Sequence, residues 1–290
     1  MRFSGCREET GEFTVETEGE TMIFYEDNMV QLYNAGVLDG LAQLPDESVQ
    51  CCVTSPPYDD LRLYNGYTWD FAATAKELYR VLVPGGVLCW NVNDSVVDGS
   101  ETLTSCKQKI FFREQCGFRI HDTMIYEKCG SSKPEKTRYQ QVFEYVFILS
   151  KGRPRVFNPI VDKANKRAGL PGSYGIRTIR ERDGTMTPKN RETVKPFSMR
   201  GNVWRGKTAG QETVCTKIEH PAVMPLWLAK DLIRSWSNEG DMILDPLAGS
   251  CTTLAAAKSL GRRGIGIELS AEYCQIAVDT RLHGQHTLEG

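Results

Sequence analysis

Five residues, Thr54-Ser55-Pro56-Pro57-Tyr58, close an apolar run and open a turn. The two prolines fix φ at about −65° and delete two backbone donors. What remains is a rigid row of carbonyl acceptors, with the Ser55 hydroxyl before it and the Tyr58 ring after it. Such a corner suits the exocyclic amino group of a base. Ser55 Oγ and the Pro56 carbonyl would accept its two hydrogens and favour a pyramidal nitrogen, whose lone pair is then free to attack a sulfonium methyl in line. Catalysis of that kind is positioning and hydrogen bonding. The ring of Tyr58 would stack on the base once it is turned out of the duplex. Taken as a bare tripeptide, Pro-Pro-Tyr is better explained as a rigid turn with a packed aromatic; the second half of the chain shifts that balance.

There the run "MILD" ends in Asp245, turns through Pro246-Leu247-Ala248-Gly249-Ser250 and enters a helix at Cys251-Thr252-Thr253. A tight turn between a strand's C-terminal end and a helix N-terminus is where open α/β sheets bind nucleotides. The next strand, "GIGIE", ends in Glu268, an acid placed to accept from ribose hydroxyls. The G-x-G-x-x-G phosphate fingerprint is missing. One glycine bend beside Asp245 therefore suits a nucleoside cofactor without pyrophosphate, such as S-adenosylmethionine (AdoMet), better than NAD. By itself an ordinary strand–helix turn with a surface glutamate reads the same way.

The elements that must position these residues follow from periodicity. Residues 22–26 and 48–54 read as strands, 29–44 as helix or turns, 70–82 as an amphipathic helix and 87–92 as a buried strand. Residues 103–116 read as a helix, and 118–128 and 141–151 as two long strands. An apolar helix over 220–236 precedes a βαβα unit, whose crossovers imply a parallel sheet. The fold class is α/β, a mostly parallel sheet with helices on both faces. Four segments are expected: an acidic extension (1–21), a catalytic half (22–151), a basic loop-rich insertion (152–217) and a cofactor half (218–290).

Composition narrows the function. From Lys151 to Lys217 there are 16 Lys and Arg against 5 Asp and Glu, an excess of +11 in a chain of net charge −2. A basic segment in a near-neutral protein points to a polyanion partner; the plainer reading is a solvated loop. The ten cysteines lack C-x-x-C spacing, which fits a reducing cytoplasm, and with four scattered histidines no metal site is expected. No apolar run reaches the roughly 20 residues that span a bilayer, so no membrane is expected.

Read in order, the motifs resemble the AdoMet-dependent DNA amino-methyltransferases of the β class. There a [DNS]-PP-[YFW] motif precedes the recognition region and the AdoMet motif follows it. "TSPPY" (54–58) matches the first, and "DPLAGSCTT" (245–253) is similar to D-P-F-x-G-S-G-T-T. "GIGIELSAEYCQIA" (264–277) resembles the strand with the ribose-binding acid, and "EHPAVMPLWLAKDLI" (219–233) the helix whose start meets the methionine end of the cofactor. "FYEDNM" (24–29) resembles the strand whose acid, here Asp27, lies near the adenine. The resemblance implies a Rossmann-like methyltransferase fold in permuted order and a catalytic set of Ser55, Pro56, Pro57 and Tyr58. Its cofactor set is Asp27, Thr54, His220, Pro221, Asp245, Pro246, Leu247, Ala248, Gly249, Ser250, Thr252, Thr253 and Glu268.

It also implies double-stranded DNA as partner. Arg153, Arg155, Lys163, Lys166, Arg167, Arg177, Arg180 and Arg182 would mostly meet phosphates. Trp204 would either touch DNA or anchor the returning chain. The resemblance leaves room for a homodimer and a separate restriction endonuclease. The Ser-Pro-Pro-Tyr form goes mostly with cytosine N4, the Asp form with adenine N6. Two residues depart from the pattern: Leu247 replaces phenylalanine, and Cys251 replaces glycine. If position 251 needs positive φ, a cysteine costs about 1–3 kcal/mol of strain and its Cβ could crowd the cofactor. The rival readings are a NAD-dependent oxidoreductase, a catalytically dead DNA-binding relative, and a methyltransferase acting on RNA or a protein glutamine.

Overall fold

The computed structural model describes residues 22–57, 69–130, 136–170, 178–188, 193–211 and 223–282. Of the expected site residues, Tyr58, Arg177, His220 and Pro221 lie outside them. The chain divides into two compact units, one of residues 159–201 and one comprising the rest.

The larger unit is built on β1 (Met22–Glu26), β2 (Val30–Asn34), α1 (Val37–Ala42), β3 (Val49–Thr54), α2 (Phe71–Val81) and β4 (Leu82–Val92). It continues with α3 (Thr104–Glu114), β5 (Arg119–Cys129), β6 (Phe143–Ser150) and β7 (Val203–Lys207). Last come α4 (Leu226–Trp236), β8 (Met242–Asp245), α5 (Thr252–Ser259), β9 (Arg263–Glu268) and α6 (Ala271–Ala277). The nine strands form one sheet in the order β1-β2-β9-β8-β3-β4-β6-β5-β7. Pairing is parallel from β2 through β4 and between β5 and β7; β1 and β6 run against their neighbours.

The 29–44 stretch is not simply helix or turns. Val30–Asn34 is a strand whose Val30 and Leu32 are buried, and the helix begins only at Val37. Five residues are too short for periodicity to separate strand from helix; parallel pairing with β9 decides it. Strand β4 also starts earlier than expected, and Val83–Gly86 bulge out of its ladder with β3.

Helices cover both faces because the strands alternate. Ile265 and Ile267 of β9 join the core of Leu41, Leu78, Trp90 and Phe112 under α1, α2 and α3. Gly264 and Gly266 face the other way, onto α5. A Cβ on Gly266 would stand 2.9 Å from Leu254 Cδ2 and 3.2 Å from Ala248 Cβ. The missing side chains let α5 and its preceding turn press directly on β9.

The unit of residues 159–201 contains two short ribbons, 163–164 with 197–198 and 178–180 with 186–188. Asp183 closes the second, accepting from the Thr185 N–H at 2.9 Å and the Thr185 hydroxyl at 2.6 Å. Arg200 pairs with Asp162. Leu170, Met186, Phe197 and Met199 remain exposed.

Candidate active site

Strands β3 and β8 are parallel neighbours, with Cys51 beside Ile243 and Cys52 beside Leu244. From β8 the chain crosses through α5 to β9 on one side; from β3 it crosses through α2 to β4 on the other. The strand order thus reverses between them, and the crevice at such a reversal is where open α/β sheets place ligands. Thr54 closes β3 and Asp245 closes β8, so the Ser55-Pro56-Pro57 corner and the glycine turn leave from one point of one sheet edge.

Hydrogen bonds clamp the two together. Thr54 Oγ1 donates to Asp245 Oδ1 at 2.7 Å, and Thr253 Oγ1 donates to the Val53 carbonyl at 3.3 Å. The Leu247 N–H donates to Asp245 Oδ1 at 3.2 Å. The far side of the turn is tied to β9: the Ala248 N–H reaches the Ile267 carbonyl at 2.9 Å, and the Gly249 N–H reaches Glu268 Oε2 at 2.8 Å. Glu268 Oε1 takes the Ser270 N–H at 2.8 Å. Pro56, Pro246, Ala248, Gly249, Ser250, Thr252 and Thr253 are buried; Ser55, Pro57 and Leu247 are half-buried.

Both carboxylates are raised by burial. Asp245 is pushed up to about 6 by desolvation, against the pull of the Thr253 and Thr54 hydroxyls and the Leu247 N–H. Desolvation also raises Glu268, opposed by the Ser270 and Gly249 N–H groups. Each Glu268 oxygen spends one lone pair on the backbone and keeps capacity for another donor.

Position 251 does adopt the left-handed backbone, with φ 57° and ψ 36°. Its side chain is fully buried among Leu254, Cys274, Ala277 and Val278, in the apolar cluster beneath the turn. The family's glycine is therefore replaced at a backbone cost, and the sulfur fills core.

Asp27 stands elsewhere. It lies in the β1–β2 hairpin, before the start of β2, whereas Glu268 lies beside Asn34 at that strand's end. It accepts from the Met29 and Val30 N–H groups, both at 2.8 Å, and pairs with Lys258 at 2.5 Å. Burial works to raise Asp27; the Lys258 and backbone hydrogen bonds outweigh it and hold the carboxyl low. The structure does not bring Asp27 to the crevice, and Asn34 and Ala35 occupy that end of β2 instead. Asn34 Nδ2 donates to the Glu268 carbonyl at 3.0 Å, and the Ala35 N–H donates to it at 3.1 Å. The alternating Val30-Gln31-Leu32-Tyr33-Asn34 followed by Ala35-Gly36 is the sequence signal for this strand end.

A second group the motifs did not single out lies at the C-terminal end of β4. Asn91 Nδ2 donates to Glu144 Oε2 at 2.8 Å, Lys128 meets Glu144 Oε1 at 3.2 Å, and Asn93 Nδ2 reaches the Phe143 carbonyl at 3.1 Å. The polar run Asn93-Asp94-Ser95 straight after a buried strand marks it in sequence.

Among the basic residues, Arg153 and Arg155 are exposed in the larger unit, the stem of Arg155 lying against Gly85. Lys163, Lys166, Arg167, Arg180 and Arg182 are exposed on the 159–201 unit. Trp204 is not an exposed DNA contact. It is only 6% exposed on β7, beside Tyr126 of β5, and so anchors the returning chain.

Comparison with known proteins finds relatives of this sequence and fold. The family model described as DNA methylase, of N6 and N4 methyltransferases, covers residues 49–279. The orphan methyltransferase M.BamHII of Bacillus amyloliquefaciens is 47% identical over 239 residues, spanning 80% of this chain and 88% of that protein. TTHA0409 of Thermus thermophilus, named as a DNA modification methylase and solved with S-adenosyl-L-methionine, is 25% identical. It superposes with a TM-score of 0.55 over 87% of this chain and 94% of its own. The PvuII DNA methyltransferase (cytosine-N4-specific) is 17% identical with a TM-score of 0.65, covering 89% of this chain and 88% of that one, a likeness of fold. A sheet that reverses between a Ser-Pro-Pro corner and a glycine turn, with the family match over most of its length, makes this chain a member of the DNA methylase family, a DNA methyltransferase of the N4/N6 amino type.

Proposed function

We propose that this chain transfers a methyl group from AdoMet to the exocyclic amine of a base turned out of duplex DNA, cytosine N4 ahead of adenine N6. The observation that carries the reading is the Thr54–Asp245 hydrogen bond of 2.7 Å, which joins the amine-gripping corner to the glycine turn.

The residues of the turn fit the cofactor. Residues 245–253 contain no lysine or arginine to meet a pyrophosphate, and two carboxylates with spare acceptor capacity stand at the strand ends. Glu268 is assigned the ribose hydroxyls, and the ionised Asp245 favours a cationic ligand nearby. Leu247, Ala248, Gly249, Ser250, Thr252 and Thr253 line the bend, Asn34 and Ala35 flank it, and the family resemblance assigns His220 and Pro221 to the methionine end. AdoMet, when bound, supplies an electrophilic methyl carbon on a sulfonium. TTHA0409, solved with that molecule, supports the assignment.

Ser55 Oγ and the Pro56 carbonyl accept the two amine hydrogens and aim the nitrogen lone pair at that carbon. Tyr58 stacks on the base. The nitrogen forms the new N–C bond, the C–S pair returns to sulfur, and one amine proton leaves for water afterwards. No general base is required. Serine, not aspartate, at the head of the motif favours cytosine N4. The 152–217 segment, whose 159–201 unit has ten Lys and Arg against four Asp and Glu, is assigned the DNA phosphates.

The test is mass spectrometry of nucleosides from DNA of cells expressing the chain, paired with methylome sequencing. N4-methylcytosine at a fixed sequence is expected. N6-methyladenine alone would replace the base assignment; DNA and AdoMet binding without any mark would favour a catalytically dead relative.

A further inference from the structure

Between β5 and β6 the chain turns back at the sheet edge that carries Ser55. Strand β5 ends there at Cys129, and β6 starts there at Phe143. At about 4.8 Å per strand, this turn lies roughly 10–15 Å along the edge from Thr54. Its described part is pinned. Arg138 Nη2 donates to the Gly99 carbonyl at 3.0 Å, and Gln141 Nε2 donates to Asn93 Oδ1 at 3.0 Å. Between those two anchors Tyr139 is 98% exposed.

A large aromatic ring held open by anchored neighbours invites a flat, apolar partner. The loop to which Arg138 is tied shares that character. Asp98 and Leu103 take left-handed backbone, with φ 50° and 59°, and Val97 and Leu103 are 53% and 50% exposed. Non-glycine residues held in such conformations cluster at functional sites. The catalytic edge thus carries a projecting aromatic beside Lys136 and Arg138, in an enzyme whose substrate is a stack of bases.

We infer that Tyr139 stacks on a base of the duplex next to the extruded nucleotide, replacing stacking surface that the flipped base takes away. The inference rests on the proposed function and assigns Tyr139 a role separate from Tyr58, which meets the flipped base itself. A base–aromatic contact of this kind is tolerant of sequence and lowers the cost of extrusion. That cost is already smaller where the target base is mismatched.

The experiment uses the purified full chain and oligonucleotide duplexes bearing the site read from the methylome, with the target base either paired or mismatched. Tyr139→Ala is expected to lower kcat/KM about tenfold or more on the paired duplex and less than about threefold on the mismatched one, the scale of one lost base stack. AdoMet affinity and Tm stay at wild-type values, and Tyr139→Phe, which keeps the ring, retains wild-type rates. Equal loss on both duplexes, no loss on either, or a Phe variant as poor as Ala overturns the inference. Such a surface would then serve another macromolecule or none. Methylation by the wild type in the same assay separates this failure from failure of the proposed function, which absence of any wild-type mark would signal.

Discussion

A buried carboxyl, Asp245, sits where the two halves of the proposed site meet, and the pKa of about 6 to which burial raises it ties that site to pH. The folded value lies above the ordinary 3.8, so the folded chain holds this proton more tightly than the unfolded one. Its contribution to stability is complete below about pH 3.8 and is lost as pH rises through about 6. Asp245→Asn, which cannot ionise, should therefore gain Tm relative to wild type between pH 5 and pH 8, read by calorimetry. AdoMet affinity should move oppositely. It should fall in the wild type as pH drops through about 6, and in the Asn variant it should be flat and about tenfold weaker at pH 7.5, the scale of a charge-assisted contact. Ser55→Ala tests the proposed acceptor for the attacking amine. Methyl transfer should drop about tenfold or more with AdoMet affinity unchanged, a split read from single-turnover rates against calorimetry. Undiminished transfer would remove the hydroxyl from the mechanism.

At the scale of elements, the site depends on how closely α5 lies on β9. The Gly-Ile-Gly-Ile-Glu pattern sends two isoleucines to one face and leaves bare backbone on the other, where Leu254 and Ala248 fill the space. Gly266→Ala should cost about 1–2 kcal/mol in urea unfolding through overpacking. It should also weaken AdoMet, because the Ala248–Gly249 turn rests on the same strand. Unchanged AdoMet binding in a destabilised variant would separate packing from the site. The Cys251 residue shows the converse economy: a left-handed position filled by a side chain that packs into the core beneath.

At the scale of the whole molecule, charge is segregated. The 159–201 unit carries an excess of six positive charges in a chain of net charge −2. DNA affinity should fall steeply with salt. The combined Lys163→Ala, Lys166→Ala, Arg167→Ala variant should reduce the slope of log K against log salt by about 2–3, with the free-protein Tm unchanged. Those three side chains are exposed, so little folding energy rests on them. An unaltered slope would move the phosphate contacts to other residues.

The sequence by itself determined the chemistry-bearing corners. Two prolines after a buried strand, a glycine turn between strand and helix, and an acid closing the following strand are all statements about neighbours in the chain. Local sterics and donor counting are enough for them. The βαβα unit and the long strands near 118–128 and 141–151 were legible for the same reason. Only the tertiary structure decided which corners meet. Thr54 and Asp245 are 191 residues apart and become bonded because β3 and β8 are neighbours in the sheet, an order set by burying both faces at once. The same order carried Asp27 to the far edge, because a hairpin precedes the strand whose other end faces the site. It made a strand of Val30–Asn34, buried Trp204 on β7 and left Tyr139 in the open. Side-chain type fixes what a residue is able to do; its distance from residues far along the chain is fixed by packing.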